Sequence, residues 1–454
     1  MGRALYQTWL RTVQSRPNQT AVREADGSSV SFAGIQEAVE ANLLRFPDLE
    51  GCRNRILAIQ FENSSRWLEA FLAGRAAGAI ILPFDPDVPP DGLNHILHQV
   101  KPAALWNDSG LQRLPGSRRK GPACLVKLTS GSTGAPRPLV FSDEEMLADG
   151  EQVCRTMGIH GEDLNLALVP FGHSYGLGNL VMPLIQFGTP VAVCSDPFPH
   201  SIAGLIARTR ATVVPAVPAL LNGLARAGID PETVASVRLW ISAGSPLQAA
   251  DAALFHERIG TPIHNFYGSS ETGGIAFDRT GRETLSGRSV GQPLEGVEAS
   301  ISGSGRLHIR SRAVYRRDNP HRRGRIGEHL LADLARILDD GSISLQGRRS
   351  RMVKMSGKRV NLGEIEKQLL RIDGLEAAHV RDYRDAGGRT RLAAAYSPEM
   401  PVELVREALR RFLPPWKIPS KWLGLEKFPL NARGKVNTRR LETLIGQALD
   451  PRER

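Results

Sequence analysis

The stretch Leu128-Thr129-Ser130-Gly131-Ser132-Thr133-Gly134-Ala135-Pro136-Arg137-Pro138-Leu139 sets hydroxyl side chains beside glycines. Hydroxyls donate hydrogen bonds, and glycines let backbone N–H groups turn toward a ligand. Together they suit a loop that wraps a polyphosphate. No Gly-Lys-Ser/Thr follows at the Walker A spacing, which excludes that kind of nucleotide loop. Composition alone leaves a second reading open, a flexible connection. A second constellation is Asn265-Phe266-Tyr267-Gly268-Ser269-Ser270-Glu271-Thr272. Its aromatic ring can stack on a base and its Asn can hydrogen-bond the base edge. Ser270 can donate to a phosphate, and Glu271 is a hard carboxylate of the kind that suits Mg²⁺.

These residues need elements to hold them. The apolar run 123–126 reads as a strand leading into the first stretch, which is expected to be a loop as far as Leu139. Ser142-Asp143-Glu144-Glu145 is a capping box that opens a helix over 143–157. Upstream, 55–61 and 79–83 read as buried strands, 64–78 and 92–100 as helices, and the polar, basic 108–122 as an exposed loop. Downstream, a strand over 166–169 runs into the Gly-rich turn Pro170-Phe171-Gly172-His173-Ser174-Tyr175-Gly176. A helix over 178–188, a strand over 190–194, a helix and strand within 202–214 and a helix over 219–227 follow. This alternation predicts parallel sheets covered on both faces, continuing to about residue 267. From 291 to 345 short strands with Gly and Asp turns predict a β-rich part. A second domain begins near 350. There Asn361-Leu362-Gly363-Glu364 caps a helix running to about Ile372 and stopping at Gly374, and a helix over 402–413 halts at Pro414-Pro415. The fold class is therefore α/β. A large N-terminal domain of doubly wound sheets with a β-rich subdomain spans 1–349, and a small α+β C-terminal domain spans 350–454.

The chain has 454 residues, 41% hydrophobic and 23% charged, the balance of an ordinary globular protein. Cys52, Cys124, Cys154 and Cys194 form no Cys-x-x-Cys pair, which argues against a structural zinc site or disulfide framework and suits a reducing, cytoplasmic setting. The start has no long apolar run, so no secretory leader is expected, and no run approaches the length of a membrane span. The net charge of +11 is uneven. Residues 301–454 hold 33 Lys+Arg against 18 Asp+Glu, and residues 1–300 hold 25 against 29. No zinc finger, aromatic RNA-binding signature or basic zipper directs that charge to nucleic acid. Acidic small molecules, an acidic partner or plain solvation remain as its uses, including for the basic stretch 316–325.

Taken together, the stretch 128–139, the motif 265–272 and the string Leu72-Ala73-Gly74-Arg75-Ala76-Ala77-Gly78 through Leu82-Pro83-Phe84-Asp85-Pro86 resemble the adenylate-forming enzymes. These are the acyl-CoA synthetases, the adenylation domains of peptide synthetases and the luciferases. The resemblance runs from about residue 56 to 441, with the motifs in the family's order. It implies that Thr129, Ser130, Gly131, Ser132, Thr133, Gly134 and Arg137 form the phosphate loop. Ser242-Ala243-Gly244-Ser245-Pro246-Leu247 resembles the strand-end turn under adenine, which puts Gly244 at the nucleotide with Asn265 and Tyr267. Asp333 matches the ribose-binding aspartate, and Arg348 follows as a second ribose or phosphate contact. Ser270 and Glu271 serve the α-phosphate and the metal. Pro429-Leu430-Asn431-Ala432-Arg433-Gly434-Lys435 looks like the terminal motif whose lysine reaches the carboxylate and the α-phosphate. His173 matches a position where acyl- and aryl-CoA synthetases place histidine. The aspartate pattern of amino-acid-activating domains is not seen nearby.

The resemblance implies ATP-dependent activation of a carboxylic acid, fatty or aryl rather than an amino acid, with Mg²⁺. Transfer to the thiol of CoA or of a carrier-protein phosphopantetheine follows, aided by a small domain that rotates between the half-reactions. The expected partners are the acid and CoA or an acyl carrier protein, with no nucleic acid. Alternatives are a non-catalytic ATP- or acyl-adenylate-binding homologue and an amino-acid-activating enzyme. Three departures bear on the choice: Arg137-Pro138 stands where the family has Lys-Gly, Ser270 where it has Thr, and Ser350 where a hinge Asp or Lys is usual.

Overall fold

Short apolar runs punctuated by Gly and Pro become the strands of two large sheets in the computed structural model. It describes residues 3–454 apart from 85, 87, 89, 120, 131–135, 317–325, 349–351, 356–357, 430–437 and 450–454. In the six-stranded sheet, Ile56–Gln60, Ile80–Phe84 and Ala104–Asn107 run parallel, with Leu125–Ser130 beside Ile80–Phe84. Pro136–Phe141 and Gly110–Arg113 are its edges. The nine-stranded sheet has a parallel interior of Thr20–Arg23, Val191–Val193, Asn165–Ala167, Val213–Ala216, Leu239–Ser242 and Ile263–Ser269. Antiparallel strands close it, Ser29–Ser31 on one side and Gly273–Phe277 with Gln292–Pro293 on the other. Residues 56–59 are buried throughout, as parallel strands covered on both faces require. The α/β architecture matches the sequence reading.

Local chemistry explains where the covering helices begin and end. Ser142 Oγ accepts from Glu145 N–H at 3.3 Å and Glu145 Oε2 accepts from Ser142 N–H at 2.7 Å, the reciprocal box that starts Asp143–Met157. The helix Ser65–Ala77 presses close to the sheet because Gly74 has no side chain. A Cβ there would lie 2.5 Å from Ile81 Cδ1 and 2.8 Å from Leu57 Cδ2. The β-rich part is a four-stranded antiparallel sheet of Val297–Ile301, Arg306–Ser311, Gly327–Ile337 and Ile343–Arg348.

The chain divides into two compact units. One comprises 1–86, 101–127 and 138–349; the other comprises 87–100, 128–137 and 350–454. In the second, Ala377–Arg384, Thr390–Ser397 and Lys421–Gly424 make a three-stranded sheet, with the hairpin Met352–Met355 and Lys358–Asn361. Helices Leu362–Leu369, Val402–Arg410 and Thr438–Leu449 accompany them.

Several expectations change. The stretch expected to be a loop is extended at both ends: Thr129 and Ser130 close one strand, and Arg137 and Pro138 lie in the next. Pro138 thus lies on an edge strand, a position where proline is tolerated. Gly110–Arg113 is a strand, not part of a loop. Gly110 at φ +113 turns the chain back so that Leu111 pairs with Trp106. The first helix after Asn361 stops at Leu369, three residues early. Asn361 caps it as expected, accepting from Gly363 N–H at 2.9 Å, but Glu364 instead pairs with Lys417 Nζ at 2.9 Å.

Candidate active site

Adjacent parallel strands bring their carboxyl ends to one edge, the usual place for a ligand in such sheets. Ala216, Ser242 and Asn265 stand in register on three neighbouring strands. Gly244 follows immediately, at φ +90, a left-handed turn that glycine adopts without strain. The Gly-rich turn that carries His173 is pinned to this edge by Tyr175. Its hydroxyl lies 3.1 Å from Ile241 O and 3.4 Å from Ala216 O, and its ring centroid 5.9 Å from that of Phe266. Burial holds the Tyr175 hydroxyl well above its usual pKa, so it remains a donor.

The turn itself is tightly constrained. A Cβ at Gly176 would sit 1.9 Å from Pro170 O, so only glycine fits. Asn63 clamps the incoming strand, donating to Val169 O at 2.9 Å and accepting from Phe171 N–H at 2.7 Å. His173 is half-buried and precedes a helical run, Ser174–Gly176, Leu177–Val181 and Met182–Phe187, whose middle segment is a π-turn.

The motif 265–272 lies along Ile263–Ser269 and the turn after it. Asn265 N–H donates to Thr284 Oγ1 at 2.9 Å, and Asn265 O accepts from Asp278 N–H at 2.9 Å. Asp278 orders this support by accepting from Thr280, Gly281 and Thr284. Tyr267 is buried in the core beneath, whereas Asn265, Ser270 and Glu271 are half-buried. Within the turn, Ser269 Oγ and Thr272 Oγ1 are 3.0 Å apart and Glu271 N–H donates to Ser269 Oγ at 3.2 Å. Glu271 O accepts from Tyr315 N–H at 2.8 Å. The backbone of Glu271 is thus held from both sides. Among the described residues no group of three His, Cys, Asp or Glu side chains could hold a metal ion. One carboxylate on a fixed backbone fits Mg²⁺ that takes its other ligands from substrate phosphates and water.

Asp333 is buried on Gly327–Ile337 and stands in register opposite Arg348, so the backbone places these two sequence candidates side by side. For Arg348, Thr129 and Ser130 the backbone alone is described, and Arg137 is exposed. Gly131, Ser132, Thr133, Gly134, the hinge candidate Ser350 and the terminal Lys435 lie outside the described residues.

Sequence reasoning missed a buried charge cluster behind the motif. Lys127 and Asp149 are 5% and 3% exposed. The Lys127 ammonium lies 4.4 Å from the centre of the Phe141 ring. Burial lowers its pKa, opposed by the charges of Asp149, Glu145 and Glu271. Burial raises that of Asp149, opposed by Lys127 and by the hydrogen bond from Gly274. Glu145 Oε1 accepts from Arg316 N–H at 3.1 Å, which ties the chain just beyond Tyr315 to the Asp143–Met157 helix. Only a buried lysine directly ahead of a Ser/Gly loop could have signalled this cluster from the sequence.

A family model described as AMP-binding enzyme matches residues 9–127 and 113–311. The L-proline--[L-prolyl-carrier protein] ligase of Streptomyces coelicolor is 28% identical, over 90% of each chain. Tyrocidine synthase 3 of Brevibacillus parabrevis is 26% identical over 85% of this chain; the chain spans 7% of its length, and 8% of bacitracin synthase 3 of Bacillus licheniformis. In structure, o-succinylbenzoate CoA synthetase of Bacillus subtilis superposes with a TM-score of 0.83 at 19% identity, covering 96% of this chain and 98% of that one. An amide bond synthetase of Marinactinospora thermotolerans gives 0.81 at 22%, covering 98% and 99%. No described helix is long and apolar enough to cross a membrane. The chain belongs to the AMP-binding enzyme family, and thereby to the adenylate-forming superfamily.

Proposed function

We propose that this chain is an AMP-forming acid–thiol ligase that activates a fatty or aryl carboxylic acid. A carboxylate oxygen attacks the α-phosphorus of ATP, the bond to the β-phosphate oxygen breaks, and pyrophosphate leaves. A thiol of CoA or of a carrier-bound phosphopantetheine then attacks the acyl carbon, and AMP leaves with the electron pair of the acyl–oxygen bond. The observation that carries this reading is the ordered edge at Ser242–Gly244 and Asn265–Glu271, with a hydroxyl and a carboxylate on a backbone fixed from both sides. Glu271 would hold Mg²⁺, which offsets phosphate charge when bound. Ser270 donates to the α-phosphate, Asn265 and Tyr267 take the base beside Gly244, and Asp333 with Arg348 takes the ribose. Residues 129–134 and Arg137 hold the leaving pyrophosphate. Lys435, delivered by a small domain spanning 350–454 against a large one spanning 1–349, supplies the cation for the α-phosphate.

The acid is assigned from the turn 170–176, whose sequence carries His173 but no carboxylate to pair with an α-amine. A second reading, an amino acid loaded onto a carrier protein, is favoured by the likeness to the prolyl-carrier ligase. A panel of fatty, aryl and amino acids, proline included, tested for acid-dependent AMP release with CoA or a phosphopantetheinylated carrier decides between them. Release with aryl or fatty acids supports the first reading, and release with amino acids alone overturns it in favour of the second. His173→Ala is expected to alter acid selectivity or thioester formation; unchanged values in both would reduce it to packing.

A further inference from the structure

The buried Asp149 has a place in the fold that packing alone does not explain. It lies in the middle of the Asp143–Met157 helix, 3% exposed, where an apolar side chain would bury at lower cost. Its Oδ1 accepts from Gly274 N–H at 2.8 Å. Gly273 beside it has φ +70, and a Cβ there would fall 2.2 Å from the same oxygen, so the carboxylate occupies the space that glycine leaves. The other oxygen faces Gly178 in the π-turn, 3.1 Å from where a Cβ would stand. One carboxylate therefore touches the helical run that begins after His173 and the strand that begins after Glu271. The nearby charge that favours its ionised form is Lys127, itself buried and stacked on Phe141. Lys127 is the residue immediately ahead of Leu128-Thr129-Ser130.

We propose that Asp149 is a positioning residue for Glu271: by accepting from the Gly274 amide it fixes the first residues of Gly273–Phe277, and so the Ser269–Thr272 turn that presents the metal-binding carboxylate. Gly273 and Gly274 follow that turn with no side chains to anchor it, so the acceptor at the Gly274 amide adds to the hold that Ser269 and Tyr315 keep on the Glu271 backbone. This rests on the adenylation reading above. Asp149 touches no substrate and acts only through the turn.

The test compares Asp149→Asn, Asp149→Leu, Lys127→Met and the double Lys127→Met/Asp149→Asn in the full chain. Three quantities are read: hydrogen exchange of the 269–277 amides, equilibrium ATP binding with Mg²⁺ and with EDTA, and thermal stability. Loss of the Asp149 charge is expected to speed exchange of those amides and to raise the Mg²⁺ concentration for half-maximal ATP binding about tenfold, with binding in EDTA unchanged. The double variant should regain stability, because no ammonium is stranded, but not the tight Mg²⁺ dependence. Should Asp149→Leu fail to fold, Asp149→Asn carries the comparison. Variants that lose stability yet keep the wild-type Mg²⁺ dependence and amide exchange overturn the proposal. A wild-type chain that binds no ATP with Mg²⁺ overturns the adenylation reading itself.

Discussion

Arg75 is fully buried, and its Nη2 lies 2.9 Å from Asp143 Oδ1, on a side chain that is 6% exposed. Its Nη1 also donates to Ala79 O, and Asp143 Oδ2 accepts from Ala4 N–H at 3.0 Å. The pair thus joins the helix Ala4–Ser15, the turn before Ile80–Phe84 and the start of the helix that carries Glu145 and Asp149. At 2.9 Å the Coulomb attraction is about 6 kcal/mol for an effective dielectric of about 20. Desolvating two ions consumes several kcal/mol each, so the pair contributes little net stability while its removal from one side is severe. Arg75→Met takes the guanidinium from the buried Asp143 carboxylate, which keeps its bond from the Ala4 amide, and should cost about 3–5 kcal/mol in urea-induced unfolding followed by Trp fluorescence. Arg75→Met/Asp143→Asn should cost less than the two single changes summed, by about 2 kcal/mol, because no buried charge is left alone. A single variant within about 1 kcal/mol of wild type, or strictly additive effects, would show that the two charges do not depend on each other.

Other predictions follow from the site's supports. Gly176→Ala forces a Cβ into the Pro170 carbonyl and should destabilise by about 2 kcal/mol or more, whereas Gly303→Ala, with open space, should stay within about 0.5 kcal/mol; equal effects in thermal melts would contradict the packing. Tyr175→Phe removes the donor shared by Ile241 O and Ala216 O and should cost about 1 kcal/mol in the same melts. Asp163 is desolvated, which raises its pKa, but hydrogen bonds from Arg238, Thr212 and His160 outweigh this and hold it below the usual carboxylate range. A lowered folded-state pKa means its stabilisation is complete above the unfolded value of about 3.9 and is lost as pH falls through the lower folded value. Asp163→Asn should therefore be weaker than wild type at pH 7 and converge on it toward pH 2; a gap constant down to that pH would reject the assignment.

Much of the fold was legible because its signals are local. The Ser142 box, the helix Asp143–Met157 and the strand–helix alternation were read from neighbours a few residues apart, and all are present. Edge strands were harder. Gly110–Arg113 looks polar and basic, and only the turn at Gly110 and pairing with Ala104–Asn107 make it a strand. The supports of the site were not legible at all. Asp149 reaches Gly274 across 125 residues and Asn63 reaches Phe171 across 108, and neither position announces itself in a polar helix or a loop. A sequence shows which residues can do chemistry; the residues that hold them in place are identified by contacts made far along the chain.

The proposed activity joins a carboxylate to AMP. Acid-dependent exchange of labelled pyrophosphate into ATP tests it most directly. Wild-type protein should catalyse exchange with at least one carboxylic acid and Mg²⁺. Glu271→Gln should demand far more Mg²⁺, and Lys435→Ala should lose exchange while still binding ATP. No exchange with any fatty, aryl or amino acid, from a folded chain that binds ATP, would overturn that activity and leave a nucleotide-binding protein without this chemistry.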